Sequence, residues 1–143
     1  MIFGTPGSGK TTALIVLLKI LARMGRRVLI VSFTNSAIDN VLSKLKMSGF
    51  NKFVRVSSSP LSVDESIRSN VKGADSFSNM EEIQKMINSN LIFGATCSAV
   101  NSDLLKCVKF DYCIMDEASQ VNEPLALGPI LLAEKFVLIG DYY

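Results

Sequence analysis

The stretch Gly4-Thr5-Pro6-Gly7-Ser8-Gly9-Lys10-Thr11 restricts this chain more than any other, because it has the G-x-x-x-x-G-K-[ST] spacing of a loop that joins a buried strand to a helix around phosphate. Its glycines let the backbone curl through conformations that other residues resist, so that successive N–H groups turn inward toward an anion. The helix that follows adds its unpaired N–H groups and partial positive charge. Lys10 can reach the β- and γ-phosphates of a nucleotide and the Thr11 hydroxyl can ligate Mg²⁺. The nucleotide-binding candidates are therefore Gly4, Thr5, Pro6, Gly7, Ser8, Gly9, Lys10, Thr11 and Thr12, with Thr11 also a metal ligand. The alternative is a glycine-rich turn whose lysine is merely solvated; a chance match of this length is uncommon.

With 143 residues, 48% of them hydrophobic and 20% charged, the chain is one domain or part of one and is not disordered in composition. Fifteen basic against thirteen acidic side chains leave +2, too small a surplus to argue nucleic-acid binding without placed residues. The absence of histidine excludes Ser-His-Asp triads, histidine acid–base catalysis and histidine-ligated metals within this chain. Cys97, Cys107 and Cys113 have neither metal-binding spacing nor an even count, so neither a disulfide framework nor a zinc site is expected, and reduced, intracellular surroundings fit best. The apolar run from Ala13 to Leu18 is too short to span a bilayer and is broken by Lys19 and Arg23, so no membrane or secretion segment is read there.

Taken in order, Met1-Ile2-Phe3 reads as a strand feeding the loop, and Thr11 to Met24 as a helix apolar almost all round and so covered on several sides. Val28-Leu29-Ile30-Val31 is a continuous apolar run that suits a strand buried on both faces of a parallel sheet. Thr34 or Asn35 then caps a helix running to about Met47. Lys52 to Val56 is a short strand, and 57–79, rich in serine and without sustained period, is an irregular surface insertion with a turn around Asp64 to Ser69. A helix over Met80 to Asn88 and strands over 91–95, 110–115 and 136–139 follow, with 121–133 as broken helix or loop. The fold class expected is α/β: a three-layer domain with a mainly parallel sheet, helices on both faces and ligand loops at the strands' C-terminal ends.

Two of those ends carry chemistry. The strand at 110–115 delivers Asp116 and Glu117, where Asp116 can hold Mg²⁺ and Glu117 can polarise an attacking water. Gln120 follows in the same turn, where an amide can sense a γ-phosphate. As a lone pair the two acids would carry little weight; together with the glycine loop they mark a Mg²⁺–nucleoside triphosphate site. The capped turn at Thr34 and Asn35 is either a plain helix start or a second anion site suited to a nucleic-acid phosphate.

In their order along the chain, Gly4 to Thr11, Thr34-Asn35-Ser36-Ala37-Ile38-Asp39-Asn40, Gly94-Ala95-Thr96-Cys97, Asp116-Glu117-Ala118-Ser119-Gln120 and Gly140-Asp141 resemble motifs I, Ia, Ic, II and III of superfamily 1 helicases of the 5′-to-3′ branch. Phe110 to Gln120 and Leu127-Gly128-Pro129 are most similar to the helicase part of the eukaryotic nuclease–helicases of Okazaki-fragment maturation. The resemblance implies the first RecA-like domain, over 1–143, of a nuclear, ATP- and Mg²⁺-dependent motor on single-stranded DNA or RNA. It implies Lys10, Glu117, Gln120 and Asp141 as catalytic residues, Thr11 and Asp116 at the metal, and Thr34, Asn35 and Thr96 against the strand's backbone. It also implies partners this sequence does not include: a second RecA-like domain carrying an arginine finger and, in the nuclease–helicases, an upstream nuclease domain. By this reading the domain is incomplete at both ends. Three functions stay open: a DNA helicase motor or its RNA or RNA/DNA counterpart, another P-loop enzyme such as a small-molecule kinase or an AAA+ protein, and a module that binds nucleotide without turnover.

Overall fold

The computed structural model describes residues 2–4, 7 and 9–141. A first strand, β1 (Ile2–Phe3), enters the glycine loop, where Gly7 and Gly9 take φ of 79° and 84°, the left-handed backbone that the curl requires of glycine. Helix α1 (Lys10–Arg23) buries Leu14, Leu18, Leu21 and Ala22, one stripe at helical spacing. Its all-round apolar character predicts cover on several sides; among the described residues one face only is covered. Val16, Ile20 and Met24, 51%, 48% and 63% exposed, form a separate i, i+4 stripe displaced from the buried one.

Strand β2 (Val28–Ser32) is buried at every residue, with Val28 and Ile30 in one core cluster and Leu29 and Val31 in the other. That alternation is the signature of a strand covered on both faces. Helix α2 (Asn35–Met47) starts at Thr34, whose hydroxyl accepts the Ala37 N–H at 3.2 Å. Strand β3 (Phe53–Val56) follows. The stretch expected to be irregular holds three short 3-10 turns and a two-residue strand, β4 (Val71–Lys72), parallel to β3. Two residues carry no periodicity, so β4 is not legible in the sequence.

Helix α3 (Met80–Ser89), strand β5 (Ile92–Thr96), a single turn of helix α4 (Asp103–Lys106) and strand β6 (Phe110–Met115) come next. The broken helix expected over 121–133 is instead one continuous helix, α5 (Glu123–Leu131), before strand β7 (Ala133–Gly140). Pro124 stands in its first turn, where the missing N–H costs nothing, while Pro129 lies inside the helix, where it forgoes the bond to the Leu125 carbonyl, and the helix ends two residues later at Leu131.

The seven strands among the described residues are all parallel, in the order β1-β7-β6-β2-β5-β3-β4. Helices α1 and α2 cover one face and α3, α4 and α5 contribute to the other, which is the three-layer α/β class expected. Gly94 shows how close the contact is: a Cβ there would lie 2.7 Å from Leu42 Cδ1, so α2 rests directly on β5.

Candidate functional site

Because every strand runs the same way, every strand ends at the same edge, and the strand order lays the candidate residues out in a line. Gly4 follows β1, Asp141 follows β7, Asp116 and Glu117 follow β6, Ser32 closes β2 ahead of Thr34 and Asn35, Thr96 closes β5, and Ser57 follows β3. The line has a charged half, β1 to β6, and a hydroxyl-rich half, β2 to β3.

In the charged half, the Lys10 ammonium donates to the Gly4 carbonyl at 2.8 Å and is ion-paired with Asp141 Oδ1. Lys10, in the first turn of α1, thus bridges the glycine loop and the end of β7. Asp116 is placed by the sheet itself: its N–H donates to the Val31 carbonyl at 2.9 Å, continuing the β6–β2 ladder by one residue. Its Oδ1 accepts the Glu117 N–H at 3.0 Å, and Glu117 Oε2 accepts the Ser32 hydroxyl at 3.4 Å. Ser32 is a supporting residue that the sequence reading does not name; its only signal there is a polar residue at the end of an apolar strand.

Burial pushes the Asp116 carboxyl up; the Glu117 N–H and the Lys10 ammonium work against this, and Asp141 reinforces it. Glu117 is raised by burial first and then by the charge of Asp116, with the Ser32 hydroxyl opposing. The carboxylates of Asp116, Glu117 and Asp141 outnumber the Lys10 and Lys44 ammonium groups that act on Asp116, and that surplus of negative charge suits a divalent cation. Among the described residues no three acidic or cysteine side chains converge closely enough to hold an ion alone. A cation here would take most of its ligands from phosphate and water, the usual habit of Mg²⁺.

Thr11 is half-buried and Thr12 exposed in the first turn of α1; Thr5, Pro6 and Ser8 lie outside the described residues. Gln120 ends a 3-10 turn whose N–H closes on the Glu117 carbonyl at 2.9 Å, with its side chain exposed. That turn abuts β7: a Cβ on Gly140 would stand 3.2 Å from Ser119 N, so the turn bearing Gln120 packs against the end of the strand that leads into Asp141.

Glu117 takes φ 54°, the one left-handed non-glycine backbone among the described residues. For an L-residue that conformation costs roughly 1–2 kcal/mol. Replacing Glu117 by glycine should relieve the strain and the repulsion from Asp116, less the added freedom of the unfolded chain. We expect the unfolding free energy to rise by about 1 kcal/mol at neutral pH, measured by urea titration. The sign with pH is set by the raised carboxyls. A carboxyl raised on folding binds more protons in the folded state, so its contribution falls as pH rises from the ordinary carboxylate range through the folded value. The gain in Glu117→Gly should therefore shrink as pH is lowered through the folded value into the ordinary carboxylate range, and change no further below it.

In the hydroxyl-rich half, Thr96 is 8% exposed and its hydroxyl shares a hydrogen bond with Ser98 Oγ at 3.1 Å. Thr34 shares one with Ser36 Oγ at 3.3 Å besides capping α2. Asn35 and Thr96 border one cleft of about 310 Å³, with serines of the 57–79 stretch opposite. The sequence reading misses Arg55, wholly buried in β3 and bonded through Nε to Asp39 Oδ1 at 2.7 Å and through Nη2 to Asn35 Oδ1 at 2.7 Å. Its signal is plain in retrospect: a charge inside the apolar strand Phe53-Val54-Arg55-Val56 needs a buried partner.

A family model described as an AAA domain matches residues 1–85 and 58–143. The chain belongs to that family. Among curated relatives of this AAA domain, a DNA replication ATP-dependent helicase/nuclease of Arabidopsis thaliana (JHS1) is 40% identical over 143 residues, the whole of this chain and 11% of that protein. The DNA replication ATP-dependent helicase/nuclease DNA2 of Xenopus laevis is 39% identical over 144 residues and that of Homo sapiens 35%, each covering 99% of this chain and 14% of the relative. The AAA domain thus spans a small part of its relatives' length. The likeness to nuclease–helicases drawn from the motifs holds at the level of sequence. Among solved structures, a nuclease-deletion mutant of the Type ISP restriction-modification enzyme LlaGI, in complex with a DNA substrate mimic, aligns with TM-score 0.58 at 13% identity, over 99% of this chain and 15% of that one. The C-terminal part of the Fun30 ATPase domain aligns with TM-score 0.55 at 20% identity, over 94% of this chain and 41% of that one. These likenesses bear out the α/β ATPase fold. No described helix of the AAA domain is long and apolar enough to cross a membrane.

Proposed function

We propose that this chain is the ATP-binding motor unit, the first RecA-like domain, of an ATP-dependent DNA helicase of the replication and repair nuclease–helicase kind, acting on single-stranded DNA in the nucleus. The observation that carries the reading is the convergence of Lys10, Asp116, Glu117 and Asp141 at one sheet edge beside the glycine loop, with Thr34, Asn35 and Thr96 on the adjoining strands of that edge. In this reading the loop residues from Gly4 to Thr12 cradle the triphosphate, Lys10 neutralises its terminal phosphates, and Thr11 and Asp116 hold Mg²⁺, which supplies charge neutralisation at the γ-phosphate. Glu117, held by Ser32, orients water. Gln120 and Asp141, on abutting segments, pass the state of the γ-phosphate toward the strand half. The 57–79 stretch is an insertion within this one domain.

The chain has five arginines and none stands at the nucleotide half: Arg23, Arg26 and Arg27 lie between the end of α1 and the start of β2, Arg55 is buried with Asp39, and Arg68 sits in the insertion against the Val63 carbonyl. An arginine finger is worth ~10³–10⁵ in rate. By itself, then, the chain turns Mg²⁺–ATP over near background, and full activity needs an arginine supplied by a second ATPase domain.

The reading is tested by measuring ATP hydrolysis and oligonucleotide binding with and without the second domain. Strand-stimulated hydrolysis is expected only with it; brisk turnover by a folded monomer of this chain, or turnover that follows a small-molecule acceptor instead of the strand, would refute it. On the strand side, Thr34→Ala and Thr96→Ala should each weaken single-stranded DNA binding several-fold and about equally for different sequences, since backbone contacts position without specifying. Unchanged affinity in both variants would remove the strand assignment.

A further inference from the structure

The cleft between α2, β5 and the insertion has a donor whose direction is set from behind. Asn35 opens α2 with its side chain exposed, and Arg55 Nη2 donates to its Oδ1 at 2.7 Å. A guanidinium can only donate, so the oxygen of the Asn35 amide must face Arg55 and its NH₂ must point away from it. No described protein group accepts a hydrogen bond from that NH₂, and Asn35 borders the cleft that Thr96, Ser57, Ser59 and Ser98 line.

Arg55 is itself immobilised. It is buried, with Nε on Asp39 Oδ1 at 2.7 Å and Nη1 on the Val56 carbonyl at 2.8 Å, and Asp39 Oδ2 accepts the Asp64 N–H of the insertion at 3.0 Å. Among the described residues no lysine lines the cleft, and three of the five N–H donors of Arg55 are engaged by protein oxygens, one on each of its nitrogens. The side-chain donors at the cleft thus include the serine and threonine hydroxyls and the Asn35 amide, a set suited to the phosphate or sugar oxygens of a nucleic-acid backbone.

We propose that Arg55, clamped by Asp39, is a positioning residue that orients the Asn35 amide as a donor to a backbone oxygen of the bound strand in the serine-lined cleft beside Thr96. This rests on the strand-binding reading above.

The test uses labelled oligo(dT) and fluorescence anisotropy on the full chain, with thermal melts as the folding control and Mg²⁺–ATP titration as the control for the nucleotide half. Asn35→Ala should weaken strand binding about tenfold, as for loss of one hydrogen bond to a charged group, and leave Mg²⁺–ATP affinity unchanged. The double variant Asp39→Leu/Arg55→Met, which replaces a buried ion pair by apolar side chains of similar size and so should fold, should show a similar loss. If Arg55 acts through Asn35, adding Asn35→Ala to that double variant should weaken binding no further. Independent, multiplying losses, or a folded double variant that binds like the parent, would overturn the positioning role. Asn35→Asp keeps an acceptor for Arg55 while removing the donor, and serves if the double variant does not fold: it should lose at least as much affinity as Asn35→Ala with an unchanged melt, and parental affinity in it would equally overturn the role. Failure of the parent chain to bind any oligonucleotide would instead overturn the strand-binding reading itself.

Discussion

Replacing Lys10 by alanine is expected to lower the affinity for Mg²⁺–ATP by about a hundredfold while leaving the fold in place. The ammonium bridges the Gly4 carbonyl and the Asp141 carboxylate, so it stands at the meeting point of the glycine loop and the end of β7. A triphosphate entering the loop would take over those contacts as charge-assisted hydrogen bonds, each worth ~1.5–3 kcal/mol, and two of the smaller kind make up the expected loss. The variant also leaves Asp141 facing the site without its cation, so it would repel the incoming phosphates. The ion pair itself adds little to folding, because Asp141 is 42% exposed and pairs open to water contribute ~0–1 kcal/mol. Titration with a fluorescent nucleotide, alongside a thermal melt, separates the two effects. An affinity within a factor of three of the parent would mean that the loop holds phosphate by its backbone alone.

Much of this geometry can be read in the residues because each piece is enforced locally. Gly7 and Gly9 stand where the loop needs positive φ, Val28 to Ser32 and Phe110 to Met115 are apolar runs of strand length, and Asp116 follows directly on one of them. Once such strands are parallel, their ends share an edge, and Lys10, Asp116 and Asp141 meet without further instruction. What escapes the sequence is set by distant partners. Strand β4 exists because Val71 and Lys72 pair with β3, not because two residues have a pattern. Helix α5 carries Pro124 in its first turn, where no N–H is needed, and continues only two residues past Pro129, a placement that the composition of 121–133 obscures. The half-bare α1 is a related case, since hydrophobicity all round says nothing about which face meets the sheet. The Arg55 network belongs to the same class: Asn35, Asp39, Arg55 and Asp64 come from three separate segments, and only the fold brings them into hydrogen-bond range.

That network carries the largest stability effect we expect, an unfolding free energy lower by ~3–5 kcal/mol in Asp39→Ala. Arg55 is wholly buried, so removing Asp39 leaves a guanidinium in the core without its carboxylate, with only the Val56 carbonyl and the Asn35 amide oxygen as acceptors. The same change orphans the Asp64 N–H, which now donates to Asp39 Oδ2 at 3.0 Å and anchors the insertion to α2. A domain of this size has ~5–15 kcal/mol in all, so the variant should sit close to the limit of folding at room temperature. Asp39→Leu paired with Arg55→Met is expected to recover most of the loss, because the cost lies in the uncompensated charge more than in the absence of the pair. Urea titrations of the parent, the single and the double variant give the comparison directly. A single variant within about 1 kcal/mol of the parent would mean that water reaches Arg55 in solution; a double variant no more stable than the single would mean that the pair's hydrogen bonds, not the stranded charge, hold this corner of the fold together.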